Sequence, residues 1–440
     1  MTYPEALRYL DSLVNYERST SYHYPGSFSL GRVETLLEKL GNPHGQYRTL
    51  HVAGTKGKGS TCAFAASILQ EAGVRTGLYT SPHLVDFRER IQVDGRPISR
   101  EDLADLMERI RSAIQEEVTY FEVVTASAFL YFALRGVEVA VVEVGLGGRL
   151  DATNVLLPEV SAVTPVGLDH LSKLGRTLQE IAREKSGILK SGRPAVIGRQ
   201  RPEALEVIEQ AASGCRAPIH RLDQEVVLER IEPAADGTRV SLRTPVAQYR
   251  DLRIPLLGRH QVDNAATAVR MVELLSRRVK NLSLDPDAVR QGLARTSWPG
   301  RCQLIRADAT WLLDGAQSAE SARALRQTAE ELFPGRSVIL VIGVSTDKDL
   351  PGIARAWDGW PARVILTRAD NPRAEPLERL QKVFGRVAGN SAPERCGGVE
   401  EAVRRAQSFA DREDLVVVSG SLFVVAEALE ALRAPFQTSR

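Results

Sequence analysis

The chain has 440 residues, of which 43% are hydrophobic and 25% charged, and its formal net charge is +2. This length predicts two or three domains, and the composition is typical of globular proteins. The weak net charge provides no basic field of the kind that nucleic-acid binding needs, and no apolar run reaches membrane-spanning length. We therefore expect neither a nucleic acid nor a membrane as a partner.

The N-terminal segment and the cysteines suggest where the protein works. Residues 1–13 mix charge with helical periodicity and lack the apolar core of a signal peptide, so we expect a cytoplasmic protein. The four cysteines lie far apart without C-x-x-C spacing, which favours neither a disulfide framework nor a zinc site. We interpret them as reduced packing residues.

A glycine-rich turn follows the first strong strand signal. Apolar residues at helical spacing predict helices over 4–16 and 30–40, and the apolar run after Arg48 breaks into Gly-Thr-Lys-Gly-Lys-Gly-Ser-Thr before helical sequence that ends at Gly73. Strand, turn and helix in this order are typical of a phosphate-binding loop. The residues that suit this role are three glycines that free the backbone, a cation and two hydroxyls: Gly54, Gly57, Gly59, Lys58, Ser60 and Thr61. The spacing is shorter than the strict G-x-x-x-x-G-K-[ST] pattern, so a plain turn between strand and helix is the alternative.

The rest of the chain predicts an α/β protein. Further strands are predicted at 76–81, 137–144, 160–165 and 194–198, with helices at 100–116, 122–134 and 177–190. This alternation predicts a mostly parallel sheet covered by helices, with ligands beyond the carboxyl ends of its strands. Short alternating runs between 224 and 256, separated by Asp236-Gly237, predict a small antiparallel annex.

A second α/β region is predicted after the turn at Ser297–Arg301. Strand-like runs recur there at 310–313, 337–342, 363–367 and 415–418. We therefore predict a P-loop ATPase domain over residues 1–297 and a smaller, C-terminal Rossmann-like domain over residues 298–440.

Polar residues end two of the predicted strands. Glu143 follows an apolar strand and precedes a glycine turn that does not complete G-x-G-x-x-G, because Leu150 occupies the third glycine position. An unpaired carboxylate there would be costly, so its partner is either Mg²⁺ or a lysine in a structural salt bridge. His170 ends the next strand, where a lone histidine is more often a hydrogen-bonded structural residue than a ligand. Lys185 lies on the following helix, and its simplest interpretation is a solvated or ion-paired lysine.

Several motifs taken together resemble the folylpolyglutamate synthases and the related dihydrofolate synthases of the Mur ligase family. The similarity covers nearly the whole chain and is carried by Gly54–Ser60, Ser81-Pro-His-Leu-Val85, Glu89-Arg-Ile91, Glu143–Asn154, Leu168-Asp-His170, Arg183–Ile188, Gly258–Ala266, Trp298-Pro-Gly-Arg301 and Leu313-Asp-Gly-Ala316. The resemblance implies an ATP-dependent amide ligase. In such an enzyme, ATP phosphorylates a carboxylate of folate or dihydropteroate, and the amino group of L-glutamate attacks the acyl phosphate.

The resemblance also implies roles for individual residues. Those implied for ATP are Gly54, Thr55, Gly57, Lys58, Gly59, Ser60, Thr61, Asn264, Arg301 and Asp314. Two Mg²⁺ sites are implied, one at Ser81 and Glu143 and the other at His170 and a carbamoylated Lys185. The implied catalytic set is Lys58, Lys185, His170, Arg301 and Asp314. The implied pterin-binding positions are Thr119, Tyr120, Phe121, Glu122, Leu150, Asp151 and Ala152.

These roles agree with the chemistry of phosphoryl transfer to a carboxylate. That reaction brings several negative oxygens together, so positioning and charge neutralisation by Lys58, Arg301 and metal ions are its main requirements. Because Lys58 and Arg301 fall in different predicted domains, we expect domain closure to be a condition of the reaction. We expect the protein to act as a monomer.

Two other functions are weighed against this one. A cell-wall Mur ligase would need a further α/β domain ahead of the phosphate loop, and about fifty residues precede Gly54. A silent nucleotide-binding module would be expected to have lost Glu143, His170 or Lys185, and all three are present. The Thr-Lys-Gly-Lys-Gly-Ser and Ser-Trp-Pro-Gly-Arg motifs favour the polyglutamylating branch.

One position departs from the family's pattern. Where the family commonly has Asp-x-Ala-His, this chain has Asp314-Gly-Ala-Gln317. A glutamine side chain neither titrates nor carries charge, so we expect Gln317 to position another group by hydrogen bonding or to cap the helix that begins near Ser318.

Overall fold

The computed structural model describes residues 1–17, 26, 28–389 and 392–433 of the protein. The chain forms two compact units. The first unit comprises residues 1–231, 239–255 and 260–296, and the second comprises 232–238, 256–259 and 297–440.

The first unit is built on an eight-stranded, mostly parallel sheet with the strand order β4-β3-β2-β5-β1-β6-β7-β8. Its strands are β1 (Arg48–Ala53), β2 (Thr76–Tyr79), β3 (Ile91–Val93), β4 (Arg96–Pro97), β5 (Val139–Glu143), β6 (Val160–Val163), β7 (Ala195–Ile197) and β8 (Ile219–Arg221). The strands from β2 to β8 in this order pair in parallel, and β3 and β4 form an antiparallel extension at one edge. The predicted parallel sheet is confirmed.

Helices surround this sheet. They are α1 (Tyr3–Ser12), α2 (Leu30–Lys39), α3 (Lys58–Glu71), α4 (Arg100–Ala113), α5 (Tyr120–Leu134), α6 (Leu171–Leu174), α7 (Leu178–Ser186), α8 (Pro202–Cys215), α9 (Leu222–Glu225), α10 (His260–Arg278) and α11 (Pro286–Arg295). Short 3₁₀ turns occur at Pro43–Gly45, Phe87–Arg90 and Ala152–Val155.

Three predicted helices are too long at their ends. The helix predicted over 4–16 ends at Ser12, because Leu13 is extended and Val14 pairs with Thr119 in an isolated bridge. The helix predicted over 100–116 ends at Ala113, and the one predicted over 177–190 ends at Ser186. In each case, the helical spacing of apolar residues continues beyond the last helical residue, although the helix itself ends there.

The annex is a three-stranded sheet with the order β11-β10-β9. It consists of β9 (Val227–Ala234), β10 (Gly237–Arg243) and β11 (Gln248–Ile254). Two residues join β9 to β10 and four join β10 to β11, connections too short for anything but antiparallel neighbours. The predicted annex is therefore confirmed.

The second unit contains a six-stranded sheet with the order β12-β13-β17-β14-β15-β16. Its strands are β12 (Gln303–Arg306), β13 (Thr310–Leu313), β14 (Val338–Ile342), β15 (Arg363–Leu366), β16 (Glu394–Arg395) and β17 (Leu415–Ser419). Its helices are α12 (Ala319–Leu332), α13 (Leu350–Trp357), α14 (Leu377–Phe384), α15 (Val399–Gln407) and α16 (Leu422–Arg433). All neighbours pair in parallel except β12 and β13, so this unit has the α/β character expected from the sequence.

Two further expectations concern membranes and cysteines. Within the described residues, no helix has the length and apolarity needed to cross a membrane. All four cysteines are free thiols, and Cys62, Cys302 and Cys396 are buried as packing residues.

Candidate active site

The glycine-rich turn connects β1 to α3 at the carboxyl edge of the parallel sheet. Gly57 is the N-cap of α3 and adopts a left-handed conformation with φ 86°. The first intrahelical hydrogen bond there runs from the Thr61 N–H to the Gly57 carbonyl, at 2.9 Å. The N–H groups before Thr61, at the start of α3, have no hydrogen-bond acceptor within the helix. Such N–H groups are suited to bind an anion.

Two glycines in this turn are required by close neighbours. A Cβ atom at Gly54 would lie 1.8 Å from the Thr164 hydroxyl oxygen, and a Cβ at Gly57 would lie 2.2 Å from Oδ1 of Asn264. Asn264 belongs to α10 and is buried, and its Nδ2 donates to Oε1 of Gln261 at 2.9 Å. The structure thus brings the predicted nucleotide residue Asn264 against the phosphate loop.

Thr55 anchors the loop from outside. Its N–H donates to the Pro165 carbonyl at 3.0 Å, and its hydroxyl donates to the Gly167 carbonyl at 3.1 Å. Both acceptors lie in the segment after β6. The turn is therefore fixed to the loop that carries His170.

Ser60 and Thr61 lie in the first turn of α3, as expected for hydroxyls near a phosphate or metal. Both are buried. Among the described residues, the Thr61 hydroxyl has no hydrogen-bond partner although it is fully enclosed. A buried hydroxyl without a partner is costly, so this atom suits a group that enters the loop.

Glu143 ends β5 beside the phosphate loop. Its carboxylate accepts a hydrogen bond from the Ser81 N–H at 3.1 Å and lies 3.7 Å from Nζ of Lys58. The lysine partner anticipated for this buried carboxylate is therefore present. Lys58, Glu143 and Ser81 form one contact group, because β2, β5 and β1 are neighbours and end at the same edge.

The loop after β6 places an acid and a histidine near the turn. Nζ of Lys56 donates to Oδ2 of Asp169 at 3.1 Å. His170 has a left-handed backbone with φ 51°, its N–H donates to Oδ1 of Asp169 at 3.0 Å, and its ring is partly exposed. The ring thus stays accessible while Asp169 fixes the backbone behind it.

Lys185 is buried beneath the phosphate loop. Only 5% of the residue is exposed, and its Nζ donates to the Gly54 carbonyl at 2.8 Å. Burial, followed by the nearby charge of Lys58, lowers the pKa of Lys185 to about 7. The interpretation of Lys185 as a solvated lysine is therefore wrong. A substantial part of it is a neutral amine near neutral pH, and that is the reactive form of lysine.

The turn after Glu143 is stabilised by hydrogen bonds to Asp151. One carboxylate oxygen accepts from the Leu146 N–H at 2.9 Å, and the other accepts from the N–H and hydroxyl of Thr153 at 3.0 and 2.5 Å. His51 on β1 extends this series of hydrogen bonds, because its Nε2 lies 2.8 Å from the Thr153 hydroxyl. Burial raises the pKa of Asp151, and the hydrogen bonds from Thr153 oppose that shift. Leu150 is partly buried beside it, and Ala152 is buried.

The predicted substrate positions on α5 form the helix start. Thr119 is the N-cap and accepts from the Glu122 N–H at 3.3 Å, while a Glu122 oxygen accepts from the Thr119 N–H at 2.7 Å. The rest of α5 is mostly apolar, and residues 122–132 are buried.

Phe121, in the first turn of α5, packs against the turn after Glu143. Phe121 packs so tightly that a Cβ at Gly145 would lie 2.4 Å from its ring. The predicted positions at 119–122 and 150–152 therefore lie around one turn of the backbone. The sequence places them 28 residues or more apart.

Arg301 and Asp314 lie together in the second unit. Oδ2 of Asp314 accepts from the Cys302 N–H at 2.8 Å, and a Cβ at Gly315 would lie 3.5 Å from Nη1 of Arg301. Asp314 follows β13 directly, at the carboxyl edge of that sheet. Gln317 is not a helix cap, because Ser318 is the N-cap of α12 and its hydroxyl accepts from the Ser321 N–H at 3.2 Å.

In the part of the chain that the structure describes, metal-ligating side chains do not gather into a ready-made cluster. No group of three or more His, Cys, Asp and Glu side chains that could hold a metal occurs within residues 1–17, 26, 28–389 and 392–433. A divalent cation at this edge would therefore need ligands of other kinds, such as hydroxyls and phosphate oxygens.

Sequence reasoning missed several residues that support this region. Arg32 on α2 forms a salt bridge with Glu122 at 2.8 Å, and Gln261 holds the side chain of Asn264. Glu89 and Arg90 were noted only as part of a motif, and Asp169 only as a neighbour of His170. Spacing could not reveal the partners of Arg32 and Arg90, because those partners lie far away in the sequence. The Asp86–Glu89 and Gln261–Asn264 pairs, by contrast, have the i, i+3 spacing of local contacts.

Two family models match the chain. The Mur ligase middle domain matches residues 52–272, and the Mur ligase glutamate ligase domain matches residues 300–422. A dihydrofolate synthase/folylpolyglutamate synthase of Bacillus subtilis is 35% identical over 413 residues, which is 92% of this chain and 95% of that protein.

Solved structures agree with these matches. Mycobacterium tuberculosis folylpolyglutamate synthase complexed with ADP superposes with a TM-score of 0.89 at 33% identity, covering 98% of both chains. Escherichia coli FolC in complex with DHPP and ADP superposes with a TM-score of 0.86 at 30% identity, also covering 98% of both chains.

An α/β unit with a phosphate loop, followed by a second α/β unit, is the architecture of an ATP-dependent ligase of the Mur type. The chain belongs to the Mur ligase family. Within that family, the relatives named above are dihydrofolate synthases and folylpolyglutamate synthases.

Proposed function

We propose that this chain is an ATP-dependent ligase that joins L-glutamate to a carboxylate of a folate-type substrate through an acyl phosphate. The observation that carries the proposal is the meeting of the phosphate loop, Glu143 and the buried Lys185 at one edge of the sheet. The full-length similarity to folylpolyglutamate and dihydrofolate synthases supports the choice of substrate.

ATP is the proposed phosphoryl donor, with its phosphates at the start of α3. The free amides of that helix turn and the Lys58 ammonium would hold the β- and γ-phosphates, and Asn264 on α10 would contact the nucleotide from beside the loop. The relatives from M. tuberculosis and E. coli were solved with ADP, which supports an adenine nucleotide as the ligand of this chain. Thr55 would serve indirectly, by fixing the loop to the segment after β6.

Mg²⁺ fits the residues of this edge. Ser81 and Glu143 lie next to each other and offer a hydroxyl and a carboxylate, and the partnerless Thr61 hydroxyl lies in the same loop region. Mg²⁺ usually takes only one or two carboxylates, with phosphate oxygens and water completing its shell. When bound, it would neutralise phosphate charge during transfer.

A second Mg²⁺ is proposed at His170 and Lys185. Asp169 lies beside His170 but is paired with Lys56, and no group of three His, Cys, Asp or Glu side chains occurs among the described residues. A carbamate on Lys185 would add a further carboxylate ligand here. The lowered pKa of Lys185 supports this modification, since the neutral amine is the form that attacks CO₂.

The mechanism rests on charge and position. The Lys58 ammonium would balance charge on the transferred phosphoryl group, and Arg301 of the second unit would add a second cation. Asp314 lies beside Arg301 and would orient it or the nucleotide. Glutamate would then attack the acyl phosphate and release inorganic phosphate. We propose residues 1–297 as the ATP-binding domain and 298–440 as the C-terminal ligase domain, with closure protecting the acyl phosphate from water.

The pterin is proposed to bind at Thr119–Glu122 and Leu150–Ala152. Phe121 packs against the turn that carries Gly145, so these two segments form adjoining surfaces. The Thr-Lys-Gly-Lys-Gly-Ser and Ser-Trp-Pro-Gly-Arg motifs resemble the polyglutamylating branch of the family. We therefore favour folate monoglutamates over dihydropteroate as the substrate. We further propose that the enzyme works as a cytoplasmic monomer, and light scattering after size exclusion checks its mass in solution.

The test is a steady-state assay with each candidate acceptor. The purified chain is given ATP, Mg²⁺ and glutamate with either dihydropteroate or reduced folate monoglutamate, and both phosphate release and the glutamylated product are measured. We expect phosphate release that depends on glutamate and on an acceptor. With an acceptor carboxylate labelled with ¹⁸O, one labelled oxygen should appear in the released phosphate. Phosphate release without any glutamylated product from either acceptor would refute the proposal.

A further inference from the structure

The turn that carries Ser81 is held by two residues that have no role in the function described so far. Residues 81–86 follow β2 and include the Ser81-Pro82-His83 motif. The Ser81 N–H donates to Glu143, so the position of this turn fixes the spacing between two proposed metal ligands. Glu89 and Arg90, in the 3₁₀ turn just after it, contact the turn through their side chains.

The Glu89 carboxylate accepts hydrogen bonds from the backbone of the turn. Its Oε2 accepts from the Leu84 N–H at 2.7 Å, and its Oε1 accepts from the N–H groups of Val85 and Asp86 at 3.1 and 2.8 Å. Three consecutive amides thus point at one carboxylate. Hydrogen bonds to an ionised acceptor are about twice as strong as neutral ones, so this carboxylate opposes any unwinding of the turn.

Arg90 holds the same turn from the buried side. Its guanidinium is almost fully enclosed, and its Nε donates to Nδ1 of His83 at 2.8 Å. Its two terminal nitrogens donate to the two oxygens of Glu17 at 2.8 and 2.6 Å. The Arg90 carbonyl also accepts from the Thr80 N–H at 3.1 Å, immediately before Ser81.

Arg90 also reaches the proposed substrate side. The centre of its guanidinium lies 5.5 Å from the ring of Tyr120, in the first turn of α5. One buried cation therefore touches both the turn of Ser81 and the helix start proposed to bind the pterin. A lysine could keep the charge at this place but not the fork geometry that serves Glu17 and His83 together.

These contacts have a specific consequence for a metal bound through Ser81. A hydroxyl binds a cation well only if the backbone holds it at the correct distance from the other ligands, and residues that orient ligands in this way affect metal affinity strongly. Neither Glu89 nor Arg90 would touch the metal itself. Their influence would act through the backbone of residues 80–86.

We propose that Glu89 and Arg90 are positioning residues that fix the Ser81–Asp86 turn and thereby set the affinity of the enzyme for Mg²⁺ in its nucleotide complex. This inference rests on the proposed function, in which Ser81 and Glu143 bind Mg²⁺. It accounts for the Glu89-Arg-Ile91 motif.

The test measures binding rather than turnover. A fluorescent, nonhydrolysable ATP analogue is titrated into the full chain at a series of Mg²⁺ concentrations, and the Mg²⁺ concentration that gives half-maximal binding is compared between variants. The test variants are Glu89→Gln and Arg90→Lys, and the reference variants are Ser81→Ala and Glu143→Gln. Melting temperatures are recorded for every variant.

Glu159→Gln is the matched structural control. The Glu159 carboxylate also binds several donors, among them the guanidinium groups of Arg48 at 2.6 Å and Arg278 at 3.1 Å. It lies just before β6, at the opposite edge of the parallel sheet from Ser81. Its replacement should lower the melting temperature without changing the Mg²⁺ dependence.

We expect Glu89→Gln and Arg90→Lys to raise the required Mg²⁺ concentration by roughly 10–100-fold, the usual effect of losing a residue that orients a metal ligand. If the two reference variants shift the Mg²⁺ dependence but Glu89→Gln and Arg90→Lys behave like Glu159→Gln, the inference is overturned and the proposed metal site stands. If Ser81→Ala and Glu143→Gln themselves bind Mg²⁺ as the unmodified chain does, the metal site of the proposed function is wrong, and the inference falls with it.

Discussion

Activity at low CO₂ should depend on pH through the state of Lys185. Its pKa of about 7 means that about half of the Lys185 side chains are neutral at pH 7, whereas an ordinary lysine with a pKa of 10.5 would be neutral in about 0.03% of molecules. The buried site thus raises the fraction of reactive amine by about three orders of magnitude. Carbamate formation joins that amine to CO₂ and releases one proton.

The direction of the pH effect follows from the sign of this shift. Because the pKa is lowered, the neutral amine is scarce below pH 7 and dominant above it, rising from about 10% at pH 6 to about 90% at pH 8. In buffer stripped of CO₂, activity should fall, and added bicarbonate should restore it more completely at pH 8 than at pH 6. Enzyme incubated with ¹³C-bicarbonate should show a carbamate carbon by NMR.

Two variants control this experiment. Lys185→Met removes the amine and should abolish both the carbamate signal and the response to bicarbonate. Lys56→Asn removes a partly exposed lysine of the same loop that pairs with Asp169, and it should leave the carbamate signal in place. Full activity in CO₂-free buffer at every pH, with no carbamate carbon in the NMR spectrum, would refute the reasoning.

Three further outcomes are expected from substitutions. Lys58→Ala should reduce turnover by about 10²–10³ without unfolding the chain, the usual scale for losing one preorganised charge-stabilising group, as measured by kcat and circular dichroism. Gly57→Ala should weaken nucleotide binding in calorimetry, because its Cβ would collide with Asn264, whereas Gly41→Ala has a similar φ of 81° with no atom within 4 Å and should cost only stability. Gln317→Ala should lose about 1–2 kcal/mol of transition-state stabilisation, measured as kcat/KM, while Gln317→His should be nearly neutral.

Each of these expectations can be contradicted by a definite result. Near-normal turnover of Lys58→Ala would remove Lys58 from the phosphate site. Equal nucleotide affinity in Gly57→Ala and Gly41→Ala would show that the approach of Asn264 to the loop does not matter for binding. A lowered melting temperature with unaltered kinetics in Gln317→Ala would show that Gln317 has a structural role. That role would not be capping of α12, because Ser318 is its N-cap.

Local sequence was enough for the architecture. Alternating strand and helix signals predicted the parallel sheet and the second α/β region, and Asp236-Gly237 predicted the annex, because periodicity and turn chemistry depend on near neighbours in the chain. Short edge strands such as β4, β8 and β16 escaped prediction, since two or three residues carry too little periodicity. Helix ends were also misjudged, at Ser12 for example, because a contact with Thr119 ends α1 there.

The site was predicted in part, and mainly by motif. The glycine turn, Glu143 and Lys185 could be chosen from the sequence, because glycine, a carboxylate at a strand end and a lysine in a known motif are visible there. Nothing in the sequence indicates that Lys185 reaches under the loop to the Gly54 carbonyl, 131 positions earlier in the chain. The helix of Lys185, α7, packs against β6, β7 and α8, and the burial that results is the main cause of the lowered pKa.

The sequence by itself therefore determined the order of elements and the residue types available for chemistry. Tertiary structure alone decided which of them meet. Lys58 is paired with Glu143, Phe121 is set against Gly145, and Arg90 is bound to Glu17, each through contacts between residues far apart in the sequence. The physical reason is that desolvation and hydrogen bonding act over a few ångströms in space, and distances of that kind are fixed only when strands align and helices pack.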